Sequence, residues 1–160
     1  MTTLRDAFQH DHRRLDALFE ELLNRVHIDD AAAARQAWTA FEHGLMTHIE
    51  AEERHMIPIF ERRDPDEAAA LLVEHAKIRS LLAELGVMLD LHALREEKVE
   101  ELVGFLRAHA AREEAALYRW ADSDLPEVPK TSILERLHDA QRTAPTRVKK
   151  LAGDLGGRLV

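Results

Sequence analysis

Four histidines stand where a helical protein keeps its apolar core. His12 comes four residues after Phe8 and three before Leu15, and His48 follows Leu45 by three. His75 lies between Leu71/Leu72 and Ile78, and His109 follows Phe105/Leu106. Two of them have a glutamate four residues further on: Glu52 after His48 and Glu113 after His109. Residues at i and i+4 are neighbours on one helix face, about 5–6 Å apart at Cβ, so each pair can aim an imidazole nitrogen and a carboxylate at one point. A single inward histidine is ordinarily a hydrogen-bonded core residue, and a single such pair is ordinarily exposed. Four inward histidines and two inward carboxylates are different, because buried charges need partners. A cation meets that need.

The ligand types narrow the metal. With no cysteine in the chain there is no zinc–thiolate site, no disulfide framework and no thiol redox chemistry. Four imidazoles and two carboxylates suit iron, manganese or zinc. One tetrahedral zinc would take four ligands, not six. Two carboxylates that each bridge, with two histidines per ion, serve a dinuclear centre with room for an oxo or hydroxo bridge and an open position. Dinuclear iron that binds or reduces oxygen species matches this set. His55 lies seven residues after His48 on the same face and is a further candidate, as ligand or as a hydrogen-bonding neighbour. Glu53, Glu114 and Tyr118 are weaker candidates, with both glutamates expected at the surface. His10, His27, His43, His92 and His138 fall off the apolar stripes or near loops and read as solvated.

The elements that must carry these residues are helices. Alanine, leucine, glutamate and arginine dominate, aromatics make up 5%, and no alternating strand pattern competes. Apolar residues recur at helical spacing in four segments. The first runs from Leu4 to Val26. The second starts after Asp29 or Asp30 as cap, carries Trp38, Phe41, Ile49, Met56 and Ile59, and ends near Arg63, with Pro58 as a kink. The third opens on Asp64 and Pro65, a capping side chain before a proline at the first helical position, and runs to Leu91. The fourth covers residues 93–121, with Val99, Leu102, Leu117 and Trp120 on its stripe. Such helices predict an all-α, antiparallel up-down four-helix bundle over residues 1–125. A prolyl stretch, "DLPEVPK", then leads into residues 126–150, expected as a short helix over 131–141 and a linker.

The order His12 … His48-x-x-x-Glu52 … His75 … His109-x-x-x-Glu113 resembles the hemerythrin-like, or HHE cation-binding, domain. "HIEAEERHMIPIF" is similar to that family's second-helix stretch. The resemblance covers residues 5–121 and implies a non-haem di-iron centre inside a four-helix bundle. Two departures separate the chain from the oxygen-carrying branch. Arg79 stands where that branch has a second third-helix histidine, and Glu113 replaces an aspartate five after the fourth-helix histidine. The resemblance so modified implies peroxide or nitric oxide chemistry, or sensing, rather than reversible oxygen carriage. Whether the chain turns over as an enzyme stays open. A ferritin-like ferroxidase is the alternative, since Glu52-x-x-His55 has that family's Glu-x-x-His spacing. The fourth helix, however, has Ala116 and Leu117 where the matching histidine belongs.

Charge divides the chain. Residues 1–125 hold 15 Lys/Arg against 26 Asp/Glu, and residues 126–160 hold 7 against 4. An acidic body excludes nucleic acid as the expected partner, since phosphate binding needs Lys and Arg. No apolar run has the length of a signal peptide or a membrane span, so the expected address is cytoplasmic, with no membrane partner. The last ten residues, "LAGDLGGRLV", hold three of the six glycines. Leu151, Leu155 and Leu159 recur every four residues between flexible joints, a pattern suited to laying leucines into a partner's groove. Residues 153–159, "GDLGGRL", resemble the targeting peptide of encapsulin cargo proteins. That resemblance implies an encapsulin shell as partner, bound through Leu151, Gly153, Asp154, Leu155, Gly156, Arg158 and Leu159. It further implies a location inside the nanocompartment and a homodimeric cargo.

Overall fold

The computed structural model describes residues 3–143, and every regular element among them is a helix. The order is α1 (Leu4–His27), α2 (Ala31–His55), α3 (Ile57–Phe60), α4 (Pro65–Asp90), α5 (Glu96–Ala115), α6 (Leu117–Asp124) and α7 (Glu127–Thr143). Residues 151–160, the proposed address segment, lie outside the described residues.

Side-chain caps fix where the long helices begin. Thr3 accepts from Asp6 N–H while the Asp6 carboxylate accepts from Thr3 N–H, a capping box that opens α1. Asp30 caps α2 through Ala33 N–H, and Asp64 caps α4 through Glu67 N–H with Pro65 in the first turn.

Two of the expected helices are interrupted. The second breaks at Met56, because Pro58 has no N–H for the ladder and its ring crowds the carbonyl four residues back. The fourth breaks at Ala116, where no proline stands. That break turns the following residues: Leu117, Tyr118 and Ala121 are buried, while Trp120, expected on the core stripe, is half-buried against Phe60. The helix expected over residues 131–141 is longer, Glu127–Thr143, and packs against α1 and α2.

α1 lies along α2 and α4 along α5, with α2 also meeting α4. Their apolar stripes form two clusters. One is built on Leu15, Phe19, Trp38, Phe41, Leu81 and Leu102. The other gathers Leu4, Phe8, Met56, Phe60, Leu71 and Leu117, with Leu125, Ile133 and Leu137 from the chain beyond the bundle. Three of the inward histidines fall between them in sequence: His12 between Phe8 and Leu15, His75 between Leu71 and Ile78, His109 between Leu102 and Leu117. His48 stands at the end of the first cluster's stretch of α2, next to Ile49 and before Met56 of the second. The bundle thus holds one polar layer between two apolar ones.

Candidate metal centre

The polar layer converges. His12 Nε2 and His48 Nε2 are 3.2 Å apart, and Glu113 Oε2 is 3.5 Å from His12 Nε2. Glu52 Oε1 lies 3.6 Å from His48 Nε2. On the other side, His75 Nε2 is 3.3 Å from Glu52 Oε2 and 3.5 Å from Glu113 Oε1, which is also 2.7 Å from His109 Nε2. Each glutamate therefore presents one oxygen to the His12/His48 pair and the other to the His75/His109 pair. One ligand atom each from Glu52, His75, His109 and Glu113 lie within 4.8 Å of one another, as do those of His12, His48 and Glu113. All but His12 are buried; its side chain is 19% exposed.

Carboxylates behind the rings aim three of the four imidazoles. His48 Nδ1–H donates to Asp11 Oδ2 (2.9 Å), His75 Nδ1–H to Glu53 Oε1 (3.0 Å) and His109 Nδ1–H to Glu74 Oε2 (2.6 Å). Each carboxylate is in turn held by an arginine. Arg14 Nε donates to Asp11, Arg79 grips Glu53 with both terminal nitrogens at 2.9 and 2.7 Å, and Arg112 donates to Glu74 and Glu67. Such partners keep the proton on Nδ1, so that Nε2, facing inward, is the nitrogen a metal would take on displacing its proton, and they raise ligand basicity. A Cβ at Gly44 would stand 2.9 Å from the side-chain ends of Arg14 and Leu15, so glycine there leaves room for these two side chains of α1.

Electrostatics follow from crowding buried charge. Burial disfavours the imidazolium of His48, but the carboxylates of Glu52 and Asp11 outweigh it and hold its pKa up at about 9. Burial likewise opposes His75, which Glu113 and Glu52 raise to about 10. His109 is raised for the same reason. Asp11 falls to about 2, because His48 and Arg14 overcome its burial. Burial and the charge of Glu113 raise Glu52, whereas the imidazoles of His109, His12 and His75 hold Glu113 well below the carboxylate range despite its burial. Tyr118 is raised by burial and by both glutamates. In the metal-free protein the imidazoliums of His48 and His75 are the cations beside the two glutamates.

The layer also fits a metal. Glu52 Oε2 and His109 Nε2 are buried and make no hydrogen bond among the described residues. Yet each has a close polar neighbour, at 3.3 and 2.7 Å. Two atoms that approach without hydrogen-bond alignment are aimed at a third point, as ligands of one ion are.

A cavity of about 80 Å³ adjoins this layer, reaching His12, His48 and His109. Leu15, Phe19, Phe41, Leu45 and Ile49 make it apolar, and the exposed Asp16 and Arg107 line it towards the surface. It has room for a few atoms.

His12, His48, Glu52, His75, His109 and Glu113 thus meet in one place. His55 does not join them. It is half-buried, has the positive charges of Arg136 and Arg54 near it, and its Nε2 makes no hydrogen bond among the described residues. Glu53, expected at the surface, backs His75. Arg79, where a histidine stands in the oxygen carriers, clamps Glu53. His10, His27, His43, His92 and His138 are exposed. Sequence reasoning missed Asp11 and Glu74. Asp11 left a trace, lying one residue before an inward histidine and three before an arginine; Glu74 left none that separates it from an exposed glutamate. No helix among the described residues is long and apolar enough to cross a membrane.

Neither the curated proteins nor the solved structures compared with the chain gave a match. A family model described as the hemerythrin HHE cation binding domain matches residues 3–121. That span contains all six converging residues and the three carboxylates behind them, and the chain belongs to the hemerythrin HHE cation-binding family.

Proposed function

We propose that this chain is a non-haem di-iron protein built on an antiparallel up-down four-helix bundle, which binds or reduces dioxygen, peroxide or nitric oxide. One observation carries the reading: Glu52 and Glu113 each turn one oxygen to His12/His48 and the other to His75/His109. Carboxylates so placed would be shared by two ions, with two imidazoles for each. Iron bound there would supply electron transfer to small oxygen or nitrogen species; its all-nitrogen and oxygen ligand set, without thiolate, suits that metal. The protein's own part is to hold the imidazoles with Nε2 inward, to keep the layer between two apolar clusters, and to admit only small molecules through the apolar cavity. Arg79 is committed to Glu53, so the His75/His109 half has two imidazoles and no third from α4. That supports peroxide or nitric oxide chemistry over reversible oxygen carriage.

The reading extends to the C-terminus. Residues 151–160 serve as the address for an encapsulin shell, with Leu151, Leu155 and Leu159 as contacts, and the protein works as packaged cytoplasmic cargo, as a homodimer. Support for this part is the sequence "GDLGGRL" alone.

Expression with iron followed by metal analysis is expected to give two irons per chain; fewer than one would overturn the di-iron reading. Repeated oxygen evolution or reductant consumption on adding peroxide marks an enzyme, whereas a single bleaching marks a sensor. Deleting residues 151–160 is expected to abolish co-purification with shell protein, and packaging of the truncated chain would refute the address.

A further inference from the structure

Tyr118 is fully buried, and its phenol oxygen has more polar neighbours than a hydroxyl can use. Oη lies 2.6 Å from Glu52 Oε1, 2.9 Å from Glu113 Oε2, 3.3 Å from His48 Nε2 and 3.4 Å from His12 Nε2. A phenol has one proton to donate, so it cannot serve both carboxylates at once. These four neighbours are also the complete set of ligand atoms in one half of the centre.

The spacings say what role the oxygen can take. Around an ion with bonds of about 2 Å, adjacent ligand atoms stand about 2.8–3.3 Å apart. An oxygen in the ion's own position would be about 2 Å from each of them. An oxygen behind a ligand would be close to one atom only. Tyr118 Oη is 2.6–3.4 Å from all four, which is the spacing of a further vertex on the same coordination sphere. Nor can the ring easily withdraw. It stacks on Phe8 with centroids 4.7 Å apart at 16°, inside the cluster that also holds Leu117 and Leu71.

We propose that Tyr118 coordinates, as a phenolate, the ion held by His12 and His48. The inference rests on the di-iron reading above and deepens it. As the oxygen–metal bond forms, the phenol O–H bond breaks and its proton leaves to solvent. The His12/His48 ion then has five protein ligand atoms, and the His75/His109 ion has four. With fewer protein ligands, the second ion would keep more positions for a small molecule; the apolar cavity reaches His12, His48 and His109 and so adjoins both halves.

The chain has one tyrosine, so any tyrosinate signal has a single source. The full chain, loaded with iron and oxidised, is expected to show a visible phenolate-to-iron charge-transfer band and enhanced tyrosinate ring modes in resonance Raman spectra. Tyr118→Phe, which keeps the ring on Phe8, is expected to bind two irons and lose both signals. Wild-type protein with two irons and no tyrosinate modes would overturn the ligand assignment while leaving the di-iron reading standing. Fewer than one iron per wild-type chain would overturn both. Should Tyr118→Phe fail to fold, the wild-type spectrum alone decides.

Discussion

The two halves of the polar layer share their carboxylates but are braced differently. In the His75/His109 half, both imidazoles are backed by carboxylates, and both carboxylates are gripped by arginines from the surrounding helices. In the His12/His48 half only His48 is backed, by Asp11. His12 has its Nδ1 buried without a hydrogen bond among the described residues, and it is the most exposed of the four rings. Bracing of this kind fixes ring orientation and supports basicity. The lesson is that one fold can brace one pair of imidazoles through two carboxylate–arginine relays and leave the other pair with a single relay, beside which the Tyr118 hydroxyl stands.

The strongest way to break the comparison is to remove what the halves share. Glu113→Ala is expected to reduce bound iron from two per chain to less than one, since Glu113 approaches three of the four imidazoles. Glu52→Ala is expected to do the same. Full metal content in either variant would mean that the halves are independent sites. Single histidines separate the halves next. His75→Ala removes a buried cation from beside Glu52 and Glu113, and is expected to destabilise the metal-free protein by about 3 kcal/mol in a denaturant titration. His12→Ala is expected to leave that stability nearly unchanged and to retain one iron, in the braced half.

Protons provide a further test. With His48 and His75 held at about 9 and about 10, both are protonated in the metal-free protein at neutral pH, and ligation must displace those protons. Iron affinity is expected to rise with pH, and proton release on loading is measurable by titration in weak buffer. The sign for the metal-free fold is opposite. Raised imidazoles contribute stability that is complete below their ordinary value of 6.5 and is lost as pH rises through about 9 and 10. Smaller effects sharpen the picture. Glu53→Gln or Glu74→Gln is expected to weaken iron binding by about 10–100-fold, read by competition with a chelator. Arg79→Lys keeps the charge but loses the two-pronged grip, and its effect is expected to be smaller than that of Glu53→Gln.

How much of this was legible depended on whether a residue's role follows from its own helix. The six converging side chains were readable because each lies on an apolar stripe, and the i, i+4 geometry of His48/Glu52 and His109/Glu113 is local. The backing carboxylates were not, because Asp11–His48, Glu53–His75 and Glu74–His109 each join two different helices, and no single-helix pattern encodes such a pairing. Tyr118 shows the same limit from another side. On an unbroken fourth helix it stands away from the face of His109 and Glu113; only the break at Ala116, unmarked by any proline, turns it inward. The break at Met56 was foreshadowed by Pro58. His55 shared a face with His48 in the sequence pattern, yet it sits at the last residue of α2, beside Arg136 rather than the centre.

The central claim is that two irons share Glu52 and Glu113. X-ray absorption of the iron-loaded full chain, with iron counted on the same sample, tests it most directly. The account predicts two irons per chain and an iron–iron distance under about 4 Å. Saturation at one iron, or two irons with no iron–iron scattering, would contradict it.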